Sequence, residues 1–126
     1  MKVLNIVSSG YRATLEEQDD TVVWFTQAMS RAGADIDVLL RASAANYVVK
    51  GQAVLPLAMG DRMQRNAPDV HGQVHDLAER GVGVFVLAED LAAYGLRSAS
   101  RLEQAQIISA DEVAGLVSQY DAVWHW

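Results

Sequence analysis

Apolar residues follow two rhythms that alternate along the chain. At 3–8, 36–40, 82–87, 106–108 and 122–126 they form compact runs rich in Val, Ile and Leu, the mark of strands buried on both faces. Between these runs they recur every three or four residues, as in a helix that buries one stripe. Thr14-Leu15-Glu16-Glu17 reads as a capping box opening a helix whose buried stripe is Leu15, Val22, Phe25, Met29 and Ala32. Gly33 ends that helix, because glycine accepts positive φ without steric cost. A short helix is predicted over 42–49. Asp69 caps another, with Val70, Val74, Leu77 and Ala78 facing inward. The segment 89–94 is a short helix closed by Gly95-Leu96, and Ser109-Ala110-Asp111-Glu112 is a second capping box. It opens a helix with Val113, Leu116, Val117 and Tyr120 on one side. Strands alternating with helices predict an α/β fold whose parallel sheet is covered on both faces.

One stretch keeps neither rhythm. Residues 51–68 hold both prolines, Pro56 and Pro68, yet carry Val54, Leu55, Leu57, Met59 and Met63. That is too apolar for a solvated linker, and contiguous exposed apolar patches mark contacts. These five residues are therefore candidate interface residues. Trp124 and Trp126 join them: alternation puts both on one face of the last strand and His125 on the other. The two rings either fill the core beneath a helix or anchor a subunit contact, where Trp is enriched.

Composition narrows the function classes. With 126 residues and 51% hydrophobic content, the chain is one domain, 1–126, able to build a core without staples. Its longest apolar runs are about five residues, against the roughly 20 that span a bilayer, so no membrane partner is expected. The N-terminus lacks the small-residue cleavage site of a signal peptide, which makes the cytoplasm the expected location. A net charge of −6 with scattered basic residues opposes nucleic-acid binding.

Candidate chemistry gathers at strand ends, where open α/β sheets bind ligands. Glu89 and Asp90 sit between a strand and a helix. They read either as an acid–base pair or as residues that complement the helix dipole. The loop Ser8-Ser9-Gly10-Tyr11-Arg12 follows the first strand and offers N–H groups and a guanidinium to an anion, although its single glycine is not a nucleotide fingerprint. Ser43 and Asn46 extend that groove. His71 and His75 lie one helical turn apart, but Gly72 replaces the glutamate of a metalloprotease helix and no third ligand is evident. No metal or cofactor is therefore expected. No Gly-x-Ser-x-Gly elbow supports serine hydrolysis.

Four segments together resemble the DsrE/DsrF/DsrH-like sulfur-relay family, including YchN-type and TusB, TusC and TusD proteins. They are Ser8-Ser9-Gly10-Tyr11 after the first strand, Val49-Lys50-Gly51-Gln52, the run Ala88-Glu89-Asp90-Leu91-Ala92-Ala93-Tyr94-Gly95-Leu96, and the ending Tyr120-Asp121-Ala122-Val123-Trp124. The resemblance implies a three-layer α/β/α sandwich with a five-stranded, mainly parallel sheet. It also implies trimers or hexamers and a sulfur-carrier partner. Leu87 stands where relatives carry the sulfur-bearing cysteine, Asp90 where YchN-type proteins carry a second, and Ser43 where an acid often follows strand two. The chain has no cysteine. A persulfide requires a thiolate, so no catalytic residue carries over. The expected role is a non-catalytic partner in a sulfur-relay assembly. The alternative is a protein or enzyme that binds a small anionic metabolite in the groove.

Overall fold

The computed structural model describes residues 1–11 and 20–126. The Thr14 capping box, Leu15 and Arg12 lie outside the described residues. The strands are β1 (Lys2–Val7), β2 (Asp35–Leu40), the two-residue β3 (Ala58–Met59) and β4 (Arg62–Met63), β5 (Val84–Leu87), β6 (Gln106–Ile108) and β7 (Ala122–His125). The helices are α1 (Thr21–Arg31), α2 (Val70–Glu79), α3 (Ala88–Ala93) and α4 (Val113–Val117), with 3-10 turns at Ala42–Val48 and Ala110–Glu112. Five strands form one sheet in the order β6-β5-β2-β1-β7, and every pairing in it is parallel.

Strand alternation divides the apolar side chains between two layers. Val7, Val38, Leu40, Val84 and Val86 face α1, α2 and α3, packing with Val23, Tyr47, Val74, Leu77 and Leu91. Leu4, Leu39 and Phe85 face the opposite way, onto Leu116 of α4, with Val113, Val117 and Tyr120 at the margin. The expected three-layer α/β/α sandwich and parallel sheet are both present. The inward face of α2 is Val70, Val74 and Leu77, as the spacing predicts, with Ala78 half-buried at its edge. Each such side chain stabilises the fold by about 1.5–3 kcal/mol when fully buried.

α1 departs from its expected stripe. Its buried residues are Val23, Thr26 and Gln27, whereas Ala32 is exposed and Phe25 and Met29 are half-buried. The reason is a polar partner under the helix. Asn5, fully buried in the middle of β1, donates its side-chain amide to Thr26 Oγ1 at 2.7 Å and accepts from the Trp126 indole at 2.7 Å. Gln27 donates to the Gln73 carbonyl and to Asp76, fastening α1 to α2. Phe25 turns instead toward Trp124 and Trp126, with ring centres 5.9 Å and 6.5 Å away.

One smaller difference has a local cause. Gly83 lies before β5 rather than within it. Its N–H donates to Asp37 at 2.6 Å, and a Cβ there would stand 2.8 Å from that carboxylate. The short helix predicted over 42–49 is present, as a 3-10 helix over Ala42–Val48. Within 51–68 the chain makes the β3–β4 hairpin, turned by Gly60 at φ +62°.

Candidate functional site at the carboxyl rim of the sheet

All five parallel strands deliver their carboxyl ends to one rim, and the candidate residues distribute along it. At one end, after β1, the Ser8–Tyr11 loop lies against the 3-10 turn. Gly10 donates its N–H to Ser43 Oγ at 2.8 Å, and a Cβ on Gly10 would come within 2.8 Å of the Ser43 carbonyl oxygen. Only glycine fits that approach. Tyr11, in the left-handed region at φ +59°, donates its N–H to the Tyr47 hydroxyl, and the two rings meet edge to face at 5.0 Å. Tyr47 donates in turn to Asp20, whose other oxygen caps α1 by accepting from Val22 and Val23. Burial, then the hydrogen bond to Asp20, pushes the Tyr47 hydroxyl far above the ordinary tyrosine range. Asn46 bonds the Ser43 carbonyl at 3.2 Å. Two N–H groups that could have cradled an anion, those of Gly10 and Tyr11, are thus taken by side chains of the same chain.

Beside this loop, Ser8 Oγ lies 2.6 Å from Nε2 of His125. No Asp or Glu side chain among the described residues bonds the other ring nitrogen. His125 is separated from Glu89 by β1 and β2, three strand spacings or about 14 Å. The two do not form one site within the chain. Trp124 is half-buried and Trp126 is 50% exposed, so the rings partly fill the space beside α1 and partly face outward.

Further along the rim, β5 runs directly into α3. Leu87 is 1% exposed and belongs to the core. The two acidic residues after it act as ties. Asp90 accepts from Arg41 Nε at 2.7 Å and from the Ala42 N–H at 2.9 Å, so it fixes the start of the 3-10 turn after β2. Glu89 accepts from the Ala110 N–H at 3.0 Å and 3.1 Å, at the turn that leads into α4. Both carboxylates therefore complement backbone N–H groups, but of neighbouring loops rather than of their own helix. The Ser109–Glu112 capping box closes as expected, with Ser109 N–H to Glu112 at 2.7 Å. Gly95 and Leu96 close α3 through N–H groups bonded to Ala92 and Leu91.

Between α3 and β6 an open cleft of about 300 Å³ is lined by Ala88, Glu89, Leu91, Arg97, Arg101 and Ile107. Of these, sequence reading singled out Glu89 alone as a candidate. Arg97, Arg101 and Ile107 sit in the segment between helix and strand, where no motif marks them. His71 bonds the Tyr47 carbonyl through Nδ1 at 2.9 Å, and His75 stands 3.7 Å from Glu79. Among the described residues no group of three His, Asp or Glu could hold a metal ion.

A single parallel sheet of order β6-β5-β2-β1-β7, sandwiched by helices and with its loops at one rim, defines a small α/β/α protein. The profile of the DsrE/DsrF-like family matches residues 1–125, and the chain belongs to that family. The fold is similar to that of the YchN protein of E. coli in its crystal structure. The TM-score is 0.72 at 15% identity, over 100% of both chains. None of the curated proteins matches the chain.

Proposed function

We propose that this protein is a self-associating, cytoplasmic DsrE-like subunit that takes part in a sulfur-relay assembly without carrying sulfur itself. One observation carries the reading: the end of β5 presents Leu87, 1% exposed, within a chain that has no cysteine. A buried aliphatic side chain has no lone pair to attack a sulfur donor, and a carboxylate such as Glu89 or Asp90 does not form a persulfide. The role left to the chain is recognition, of other subunits and of a sulfur-carrier protein.

The β3–β4 hairpin supports self-association. Leu55 is 81% exposed, Met59 61% and Met63 60%, with Leu57 beside them and Val54 half-buried at the base. An apolar group this exposed on a two-residue ladder gains most by packing against another surface. Trp124 and Trp126 are the second proposed contact.

Incubation with a sulfane-sulfur donor followed by intact-mass spectrometry tests the central reading. No mass increase of one sulfur atom is expected on this chain under conditions that load a cysteine-bearing protein. A stable adduct would overturn it. Light scattering of the purified chain is expected to give an oligomer, reduced in mass when Leu55, Met59 and Met63 are all changed to Ser.

A further inference from the structure

We infer that the cleft between α3 and β6 binds a small organic anion: a carboxylate or phosphate group attached to an apolar body. The inference is independent of the relay reading, because it rests on the guanidinium groups and floor of the cleft.

Arg101 is fixed before any ligand arrives. Its Nη1 donates to the carbonyls of Leu96, Arg97 and Ala99 at 3.1, 2.9 and 3.1 Å, and its backbone bridges to Val49. Its Nε and Nη2 donors have no partner among the described residues. A guanidinium held in this way loses little side-chain entropy when it binds an anion with its remaining donors. Arg97 lines the same cleft, and its guanidinium has neither an ion pair nor a hydrogen bond among the described residues. The chain carries a net charge of −6, and acidic partners hold Arg31, Arg41 and Arg80. Among the described residues Arg97 and Arg101 are not neutralised in that way, and their open donors lie on one cleft.

The floor is apolar. Ala88 and the 46%-exposed Ile107 flank the buried Leu91. Ile107 is on the β6 edge strand, where an exposed β-branched side chain gains free energy if a ligand covers it. Glu89, the acidic member of the lining, has both oxygens on the Ala110 N–H, which offsets part of its repulsion toward an anion. A volume of about 300 Å³ is at the small end of ligand sites and suits a single ring or a short chain.

Benzoate is the probe and benzylammonium its charge-reversed control, each titrated into the ¹⁵N-labelled full chain at low salt. Benzoate is expected to give saturable amide shifts centred on Ala88, Arg97, Arg101 and Ile107, weakening as salt is added. Benzylammonium is expected to give none there. Arg97→Gln, on an exposed side chain with no internal partner, should leave the spectrum folded and weaken benzoate binding at least about five-fold. No saturable shift with benzoate, equal shifts with benzylammonium, or unchanged affinity in Arg97→Gln would each overturn the proposal.

Discussion

The two ends of the same rim use their polar groups in opposite ways. After β1, the backbone donors of Gly10 and Tyr11 and the hydroxyls of Ser43 and Tyr47 bond one another and the Asp20 cap. After β5, the carboxylates of Glu89 and Asp90 hold neighbouring loops in place, and two guanidinium groups keep open donors on a cleft. The first end is closed by the chain's own side chains; the second is braced and left open. A strand-to-loop junction at a sheet's carboxyl rim is thus a place where a ligand could bind, and internal hydrogen bonding decides whether it remains available.

The largest effect is expected at the closed end. Tyr47→Phe removes the hydroxyl that accepts from the Tyr11 N–H and donates to the 3%-exposed Asp20. The cost is about 1–3 kcal/mol of unfolding free energy, read from urea midpoints. The same substitution should alter the alkaline limb. The folded state holds the Tyr47 proton more tightly than the unfolded chain, whose tyrosines titrate near the ordinary value of 10.0. The unfolded state therefore releases its proton first, and the stability from this group is complete below about pH 10 and lost as the pH rises above it. Tyr120, raised by burial and by its bond to Asp37, acts in the same direction. Wild type should lose stability more steeply than Tyr47→Phe as the pH rises above about 10. Parallel curves would show that the Tyr47 hydroxyl is not the group that closes this end.

The next effect separates bracing from openness. Asp90→Ala frees Arg41 and the Ala42 N–H and should cost about 1–2 kcal/mol. Arg97→Gln, on the same stretch of rim, should change stability by less than about 0.5 kcal/mol. Equal losses at the two positions would erase the distinction between a tie and a free donor.

What the sequence made legible follows the strength of local signals. Alternation and helical spacing located the five main strands, the inward face of α2 and the Ser109 capping box, because each is written within a few neighbouring residues. The stripe of α1 was not legible. Its rotation depends on Asn5, more than twenty residues away, whose buried amide requires Thr26 in place of an apolar neighbour. Glu89 and Asp90 were visible as rim carboxylates, but their partners Ala110 and Arg41 come from other crossovers. The cleft was invisible for the same reason. Arg97 and Arg101 fit no motif, and they become neighbours of Ile107 only when β6 pairs with β5.

A further effect lies between the two ends. Ala42 follows β2 with φ +47°, a left-handed conformation that costs a non-glycine residue roughly 1 kcal/mol or more. The bond from its N–H to Asp90 holds it there, and Ser43, next in the chain, accepts from Gly10 of the closed end. One strained residue therefore joins the brace to the closure. Ala42→Gly keeps the N–H and removes the steric cost, while glycine's freedom in the unfolded chain offsets part of the gain. The net should be a stabilisation of about 0.5–1 kcal/mol, measured by urea unfolding. In the Asp90→Ala background the gain should shrink, because without its acceptor Ala42 can relax out of the strained conformation. An undiminished gain there would mean that the strain is set by the closed end alone, through Ser43, and that the two ends are not coupled through this residue.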